Sequence, residues 1–140
     1  MLNEFKFDVR WGDTDAAGIV FYPNFYKWMD DSSHAYLSAI GYPSSKLFAE
    51  LQIGVPLLEA HCVFKMPLLF EDNVTVQSSV IELHNKVFKI KHVFVRKDQI
   101  VAEGYEMRAW TSFAGERPKA QPIPEYIREK MAPIIETVEG

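Results

Sequence analysis

Residues 12–25 read GDTDAAGIVFYPNF. Two carboxylates, Asp13 and Asp15, stand before the small residues Ala16, Ala17 and Gly18, and an apolar run then leads into Tyr22-Pro23-Asn24. A plain surface turn needs the glycine and one aspartate, but gains nothing from exposing Ile19, Val20 and Phe21 directly afterwards. An ionised Asp can attack a carbonyl carbon or draw a proton from water. Small neighbours let a substrate pass close to the backbone beside it. If a helix begins at Tyr22-Pro23, its first N–H groups lack partners within it and its dipole adds partial positive charge, so that end can hold an oxygen gaining negative charge. A carboxylate facing a polarised carbonyl describes hydrolysis of an acyl bond. A thioester suits it well, because a thiolate leaves more readily than an amine, and the chemistry calls for neither metal nor cofactor.

The surrounding pattern supplies the elements that would place these groups. Phe5, Phe7, Val9 and Trp11 alternate with Lys6, Asp8 and Arg10, which predicts a strand from Phe5 to Trp11 running into the motif. Phe25, Trp28, Met29, Ser32, Tyr36 and Ile40 recur at three- and four-residue spacing, which predicts a long helix from about Pro23 to Ile40, ended by Gly41-Tyr42-Pro43. A shorter helical piece is expected near Ser44–Leu51. Strands are expected near Pro56–Met66, Asn73–Leu83, Val87–Arg96 and Ile100–Thr111, with hairpin turns at His84-Asn85-Lys86 and Lys97-Asp98-Gln99. Residues Pro124 to about Val138 can form a terminal helix that Pro133 breaks or kinks. One long helix followed by antiparallel strands gives an α+β class in which the sheet covers the helix.

With 140 residues, the chain has the size of one domain, and residues 1–140 are read as such. A net charge of -4 with scattered Lys and Arg gives no footprint for nucleic acid. The first ten residues lack the apolar centre of a signal peptide and no later run is long enough to span a bilayer, so the expectation is a cytoplasmic protein without a membrane partner. Cys62 is the single cysteine, which excludes an intramolecular disulfide and a multi-cysteine zinc site and leaves it a buried small residue. No pair of histidines has metal-ligand spacing, and no Gly-x-Ser-x-Gly element supports serine-hydrolase chemistry.

The stretch GDTDAAGIVFYPNFYKWMD, at the end of a strand and running into a long helix, resembles the signature of the hot-dog-fold acyl-CoA thioesterases, and in particular their 4-hydroxybenzoyl-CoA thioesterase branch. The resemblance implies an antiparallel sheet wrapped around the central helix. It implies Asp15 as catalytic nucleophile or general base, and the Tyr22 backbone N–H as the donor that polarises the thioester carbonyl. Gly18 gives the acyl-CoA room beside the backbone. Asp30 matches a carboxylate near the acyl ring that accepts a phenolic hydroxyl, and Lys86 in the His84-Asn85-Lys86 turn matches a basic position against the CoA nucleotide. Ala16 stands where the hydroxybenzoyl branch typically has Pro, whereas Tyr22 separates the chain from related short-chain thioesterases that often carry His there. The family also implies a homodimer or homotetramer with sites at the interface.

Other readings remain open in the sequence. The substrate can be a short aliphatic acyl-CoA or an acyl carrier protein thioester, and a non-catalytic acyl-CoA binding module would keep the same fold. Asp13 reads as a turn residue, Asp30 and Asp31 also fit a solvated helix face, His34 and His61 read as structural, and Phe25, Trp28 and Tyr36 read as core.

Overall fold

The computed structural model describes residues 1–133. In chain order these form β1 (Leu2–Asp8), α1 (Pro23–Ala39), α2 (Ser44–Lys46) continued by a π-helical turn at Leu47–Leu51, β2 (Ile53–Gly54), β3 (Leu57–Phe64), β4 (Asn73–Leu83), β5 (Val87–Arg96), β6 (Gln99–Ala109), β7 (Thr111–Ser112), β8 (Lys119–Ala120) and α3 (Glu125–Met131). Five strands make one antiparallel sheet in the order β1-β4-β5-β6-β3. The expected α+β layout, a long helix packed on an antiparallel sheet, is therefore present.

Local chemistry accounts for the joints. Lys97 and Asp98 take φ of 48° and 61°, so β5 and β6 are joined by a two-residue turn of the kind whose twist suits adjacent strands. Pro23 opens α1, where its missing N–H costs nothing. Gly41, at φ 94°, closes it, with Gly41 N–H donating to Ser38 O and Tyr42 N–H to Leu37 O. The helix buries the expected stripe, Phe25, Trp28, Met29, Ser32 and Tyr36, together with Ser33 and Leu37. It approaches the sheet closely at Gly104, where an added Cβ would lie 2.5 Å from His61 O and 2.7 Å from Met29 Sδ.

Three expectations are corrected. The first strand spans Leu2–Asp8 rather than Phe5–Trp11: the Asp13 carboxylate accepts the Arg10 N–H at 2.8 Å and folds Trp11–Asp13 into a 3₁₀ turn, so Trp11 is 74% exposed and packs edge-on against Phe70. The last long strand ends at Ala109, because the chain turns into a small separate sheet, β2-β7-β8, that the sequence did not reveal. The terminal helix stops at Met131, where Ala132 adopts a left-handed conformation just before Pro133, and the rest of that expected helix lies outside the described residues.

The two edges of the main sheet differ. On β1, Phe7 stacks on Trp28 of the helix at 4.2 Å. The outer edge β3 pairs only with β6 among the described residues and exposes Leu57, Leu58, Val63 and Phe64 by 44–59%.

Candidate active site

The turn between β1 and α1 is built by its own polar groups. Asp13 is the clamp: its side chain holds Arg10 N–H, and its carbonyl accepts Phe21 N–H at 2.8 Å and Asn24 Nδ2 at 2.9 Å. The turn reading of Asp13 thus has a geometric basis. Asp15 sits one step further out and is exposed. Its Oδ1 accepts Ala17 N–H at 2.8 Å and its carbonyl accepts Gly18 N–H at 3.0 Å, while among the described residues no donor reaches Oδ2. Gly18 completes the turn at φ 80°, a conformation side chains disfavour.

The start of α1 leaves one donor over. Pro23 has no N–H, Asn24 N–H is taken by Phe21 O, and Phe25 N–H by Tyr22 O. The Tyr22 N–H has no acceptor among the described residues. The general argument for several free donors at a helix start therefore narrows here to a single one.

Beside Tyr22 opens a cavity of about 400 Å³. Ile19, Tyr22 and Phe25 form one wall, and Phe64, Met66 and Leu68, from the end of β3 and the segment after it, form the other. The Phe64 ring lies 5.0 Å from Phe25 and 6.3 Å from Tyr22, and Val20 N–H donates to Leu68 O at 2.9 Å, which ties the walls together. This second wall was missed by sequence reasoning. Its one signal is the apolar run around Pro67, which periodicity alone assigns to no element.

The other candidates lie elsewhere in the chain. Asp30 is about 12 Å along α1 from Tyr22, by the helical rise per residue. Its side chain is 53% exposed and its Oδ1 is held by Arg108 Nη2 at 2.7 Å and His34 Nε2 at 3.3 Å. Lys86 is exposed at the opposite end of β4 and β5 from Asn73, which pairs with Asp8 just ahead of the Asp15 turn. With 11 residues in β4, that separation is roughly 35 Å. One copy of the chain therefore sets Asp15 and Gly18 in one turn directly ahead of Tyr22, with Tyr22 alone of the three lining the cavity, and brings neither Asp30 nor Lys86 to them.

Behind Asp30 runs a buried polar chain. Arg108 donates through Nε and Nη2 to Glu106 at 3.2 and 2.9 Å, and through Nη1 to Val55 O at 2.9 Å. His92 Nε2 lies 3.2 Å from Glu106 and Nδ1 2.7 Å from Ser78 Oγ, while Ser33 Oγ donates to Glu106. Burial alone would raise the Glu106 pKa, but hydrogen bonds from His92, Arg108 and Ser33 and the Arg108 charge outweigh it and bring the carboxyl to about 2. Burial pushes His92 below its ordinary value despite the neighbouring carboxylate, so the ring is neutral. Neutral His92 then donates to Glu106 from Nε2 and accepts Ser78 O–H at Nδ1. Cys62 is buried as expected, its thiol pushed up to about 11 by burial, and is inert as a nucleophile. Among the described residues no group of three or more His, Cys, Asp or Glu side chains could hold a metal ion, and no helix is long and apolar enough to cross a membrane.

A family model for the thioesterase-like superfamily matches residues 9–131, and the chain belongs to that family. Among solved structures it is similar to a gentisyl-coenzyme A thioesterase, at 45% identity and TM-score 0.82 over 93% of this chain and 99% of that one. It is similar also to a 4-hydroxybenzoyl-CoA thioesterase variant in complex with 4-hydroxybenzoyl-CoA, at 27% identity and TM-score 0.87 over 93% and 98%. The 4-hydroxybenzoyl-CoA thioesterase of Pseudomonas sp. (strain CBS-3) is 28% identical over 127 residues, 85% of this chain and 90% of its own. The protein is a hot-dog-fold thioesterase, an enzyme that hydrolyses thioesters.

Proposed function

We propose that this enzyme, acting as a single domain, hydrolyses the CoA thioester of a hydroxylated aromatic acid, releasing the free acid and CoA. The observations that carry the reading are the open Oδ2 of Asp15 in the turn just ahead of α1, and the unpaired Tyr22 N–H at the helix start with an apolar cavity beside it. Asp15 attacks the thioester carbonyl or activates water, and the Tyr22 N–H receives the negative charge developing on the carbonyl oxygen. Gly18, bare of side chain, lets the thioester approach the turn. The relatives support an aromatic acyl group, since those named above act on 4-hydroxybenzoyl-CoA or gentisyl-CoA and another is a 1,4-dihydroxy-2-naphthoyl-CoA hydrolase. A CoA ester as substrate fits a cytoplasmic setting.

A second copy completes the site in this reading. An exposed apolar edge strand favours pairing with another chain, and two β3 edges paired antiparallel set the Leu57 end of one beside the Phe64 end of the other. Asp30 and Lys86 belong to the Leu57 end, through Arg108 opposite Leu57 and through Val87 opposite Ala109. The second copy's Asp30 and Lys86 are thereby carried toward Tyr22 and Asp15, Asp30 to accept a ring hydroxyl and Lys86 to meet the CoA phosphates. The result is a homodimer or a homotetramer built from it.

Thiol release from 4-hydroxybenzoyl-CoA, benzoyl-CoA, butyryl-CoA and an acyl carrier protein thioester tests the proposal. Wild type is expected to favour the hydroxylated ring, and Asp15→Asn to lose on the order of 100-fold or more in kcat. Near-normal turnover by Asp15→Asn on every ester would remove Asp15 from catalysis, and a preference for butyryl-CoA or the carrier-protein ester would overturn the aromatic reading.

A further inference from the structure

We propose that Arg108, locked in place by Glu106, is a positioning residue that sets the orientation of the Asp30 carboxylate and so determines how strongly the enzyme prefers a hydroxylated ring. The inference rests on Asp30 as hydroxyl acceptor and extends it to groups that touch no substrate.

An aspartate whose side chain is half exposed ordinarily rotates freely, and ordering it on binding costs affinity. Asp30 differs because its anchor comes from inside the protein. Arg108 is 4% exposed and all three guanidinium nitrogens are engaged, with Glu106 on one side, Val55 O on another and Asp30 Oδ1 at the surface end. His34 takes the same Oδ1, and among the described residues no donor reaches Oδ2. One oxygen is thus pinned and the other is left to accept a hydroxyl proton.

Glu106 is in turn fixed by Ser33 of α1 and by His92, which Ser78 of β4 holds from its far side. Helix and sheet together therefore define where Arg108 points. Stability alone gives little reason for such an array, because buried ion pairs replaced by well-packed apolar residues are often no less stable. A buried chain in which every polar group has a partner and which ends on one surface carboxylate is instead what holding that carboxylate in a fixed geometry requires.

The readout is the ratio of kcat/KM for 4-hydroxybenzoyl-CoA to that for benzoyl-CoA, in which a general loss of folded enzyme cancels. Asp30→Asn is expected to lower the ratio. Arg108→Lys, which keeps the charge but loses the planar fork, and the isosteric Glu106→Gln are each expected to lower it about tenfold. Adding Arg108→Lys to Asp30→Asn is expected to lower it no further. Equal losses on both esters in Arg108→Lys and Glu106→Gln, or an unchanged ratio in both, would overturn the positioning role. If Asp30→Asn responds and those two variants do not, only this inference fails; if Asp30→Asn itself leaves the ratio unchanged, the acceptor role fails and takes the inference with it. Glu106→Gln carries the test should Arg108→Lys not fold.

Discussion

The start and the middle of α1 solve opposite problems. At its start, the Asp15 turn is exposed and has a spare carboxylate oxygen, and the chain runs on to Tyr22, whose N–H is spare and which lines an apolar cavity closed by Phe64 at the end of β3 and the segment after it. Two turns further along, Asp30 is tied through Arg108 and Glu106 to His92, Ser33 and Ser78, and among the described residues no buried side-chain nitrogen or oxygen lacks a partner. The groups proposed to meet a substrate are left unsatisfied at the surface, where water can solvate them. Groups that only hold others are satisfied inside, where an orphan costs most.

That contrast predicts very different responses to mutation. Glu106→Ala leaves Arg108 and His92 without their shared acceptor and is expected to destabilise the fold by about 3–5 kcal/mol, whereas Asp15→Asn stays within about 0.5 kcal/mol of wild type. Urea midpoints at unchanged slope measure both. A Glu106→Ala variant as stable as Asp15→Asn would erase the distinction between the two regions.

Acid sharpens the same comparison with a smaller effect. His92 is held below its ordinary 6.5 by burial, so the unfolded chain takes up that proton first; the stability this supplies is present above pH 6.5 and is lost as the pH falls below it. Glu106 titrates at about 2 in the fold against an ordinary 4.5, so its contribution is present above pH 4.5 and fades from there towards 2. Melting temperature is expected to begin falling below about pH 6.5 and to fall more steeply below about pH 4.5, with Glu106→Gln losing the steeper part. A melting temperature flat from pH 7 to 4 would show that the buried chain does not titrate this way.

The smallest effect belongs to the exposed turn. Gly18→Ala meets no atom within 4 Å, so it is expected to cost only the backbone strain of φ 80°, about 1 kcal/mol, read as a modest drop in melting temperature. No drop at all would mean that the turn tolerates a side chain and relaxes around it.

What the sequence disclosed follows the same division. The motif turn, the α1 stripe and the β4–β5 and β5–β6 hairpins were legible because each rests on local rules: spacing around a helix, a proline at its start, alternation along a strand. The buried chain was not legible. On β6 the inward positions are Ala102, Gly104, Glu106 and Arg108, while Tyr105 and Met107 face outward with partial exposure. Alternation read by hydrophobicity puts those faces the other way round. Gly104 explains the inversion in part, since the helix passes too close there for any side chain. Charged residues on the inner face become tolerable only with partners from α1 and β5, which no single segment reveals. The wall at Phe64–Leu68 was hidden for a similar reason, because its role depends on where α1 begins in space.

The donor proposed at Tyr22 is a backbone N–H, and this divides the proposed site by how readily its parts can be lost or altered during divergence. One base change can erase the Asp15 carboxylate, but only proline at position 22 would erase the N–H. The side chains of Ile19, Phe64, Met66 and Leu68 share no such duty. In the proposed reaction a lineage can therefore reshape the cavity while the donor survives every other substitution at its own position, so the choice of acyl group can drift faster than the reaction itself.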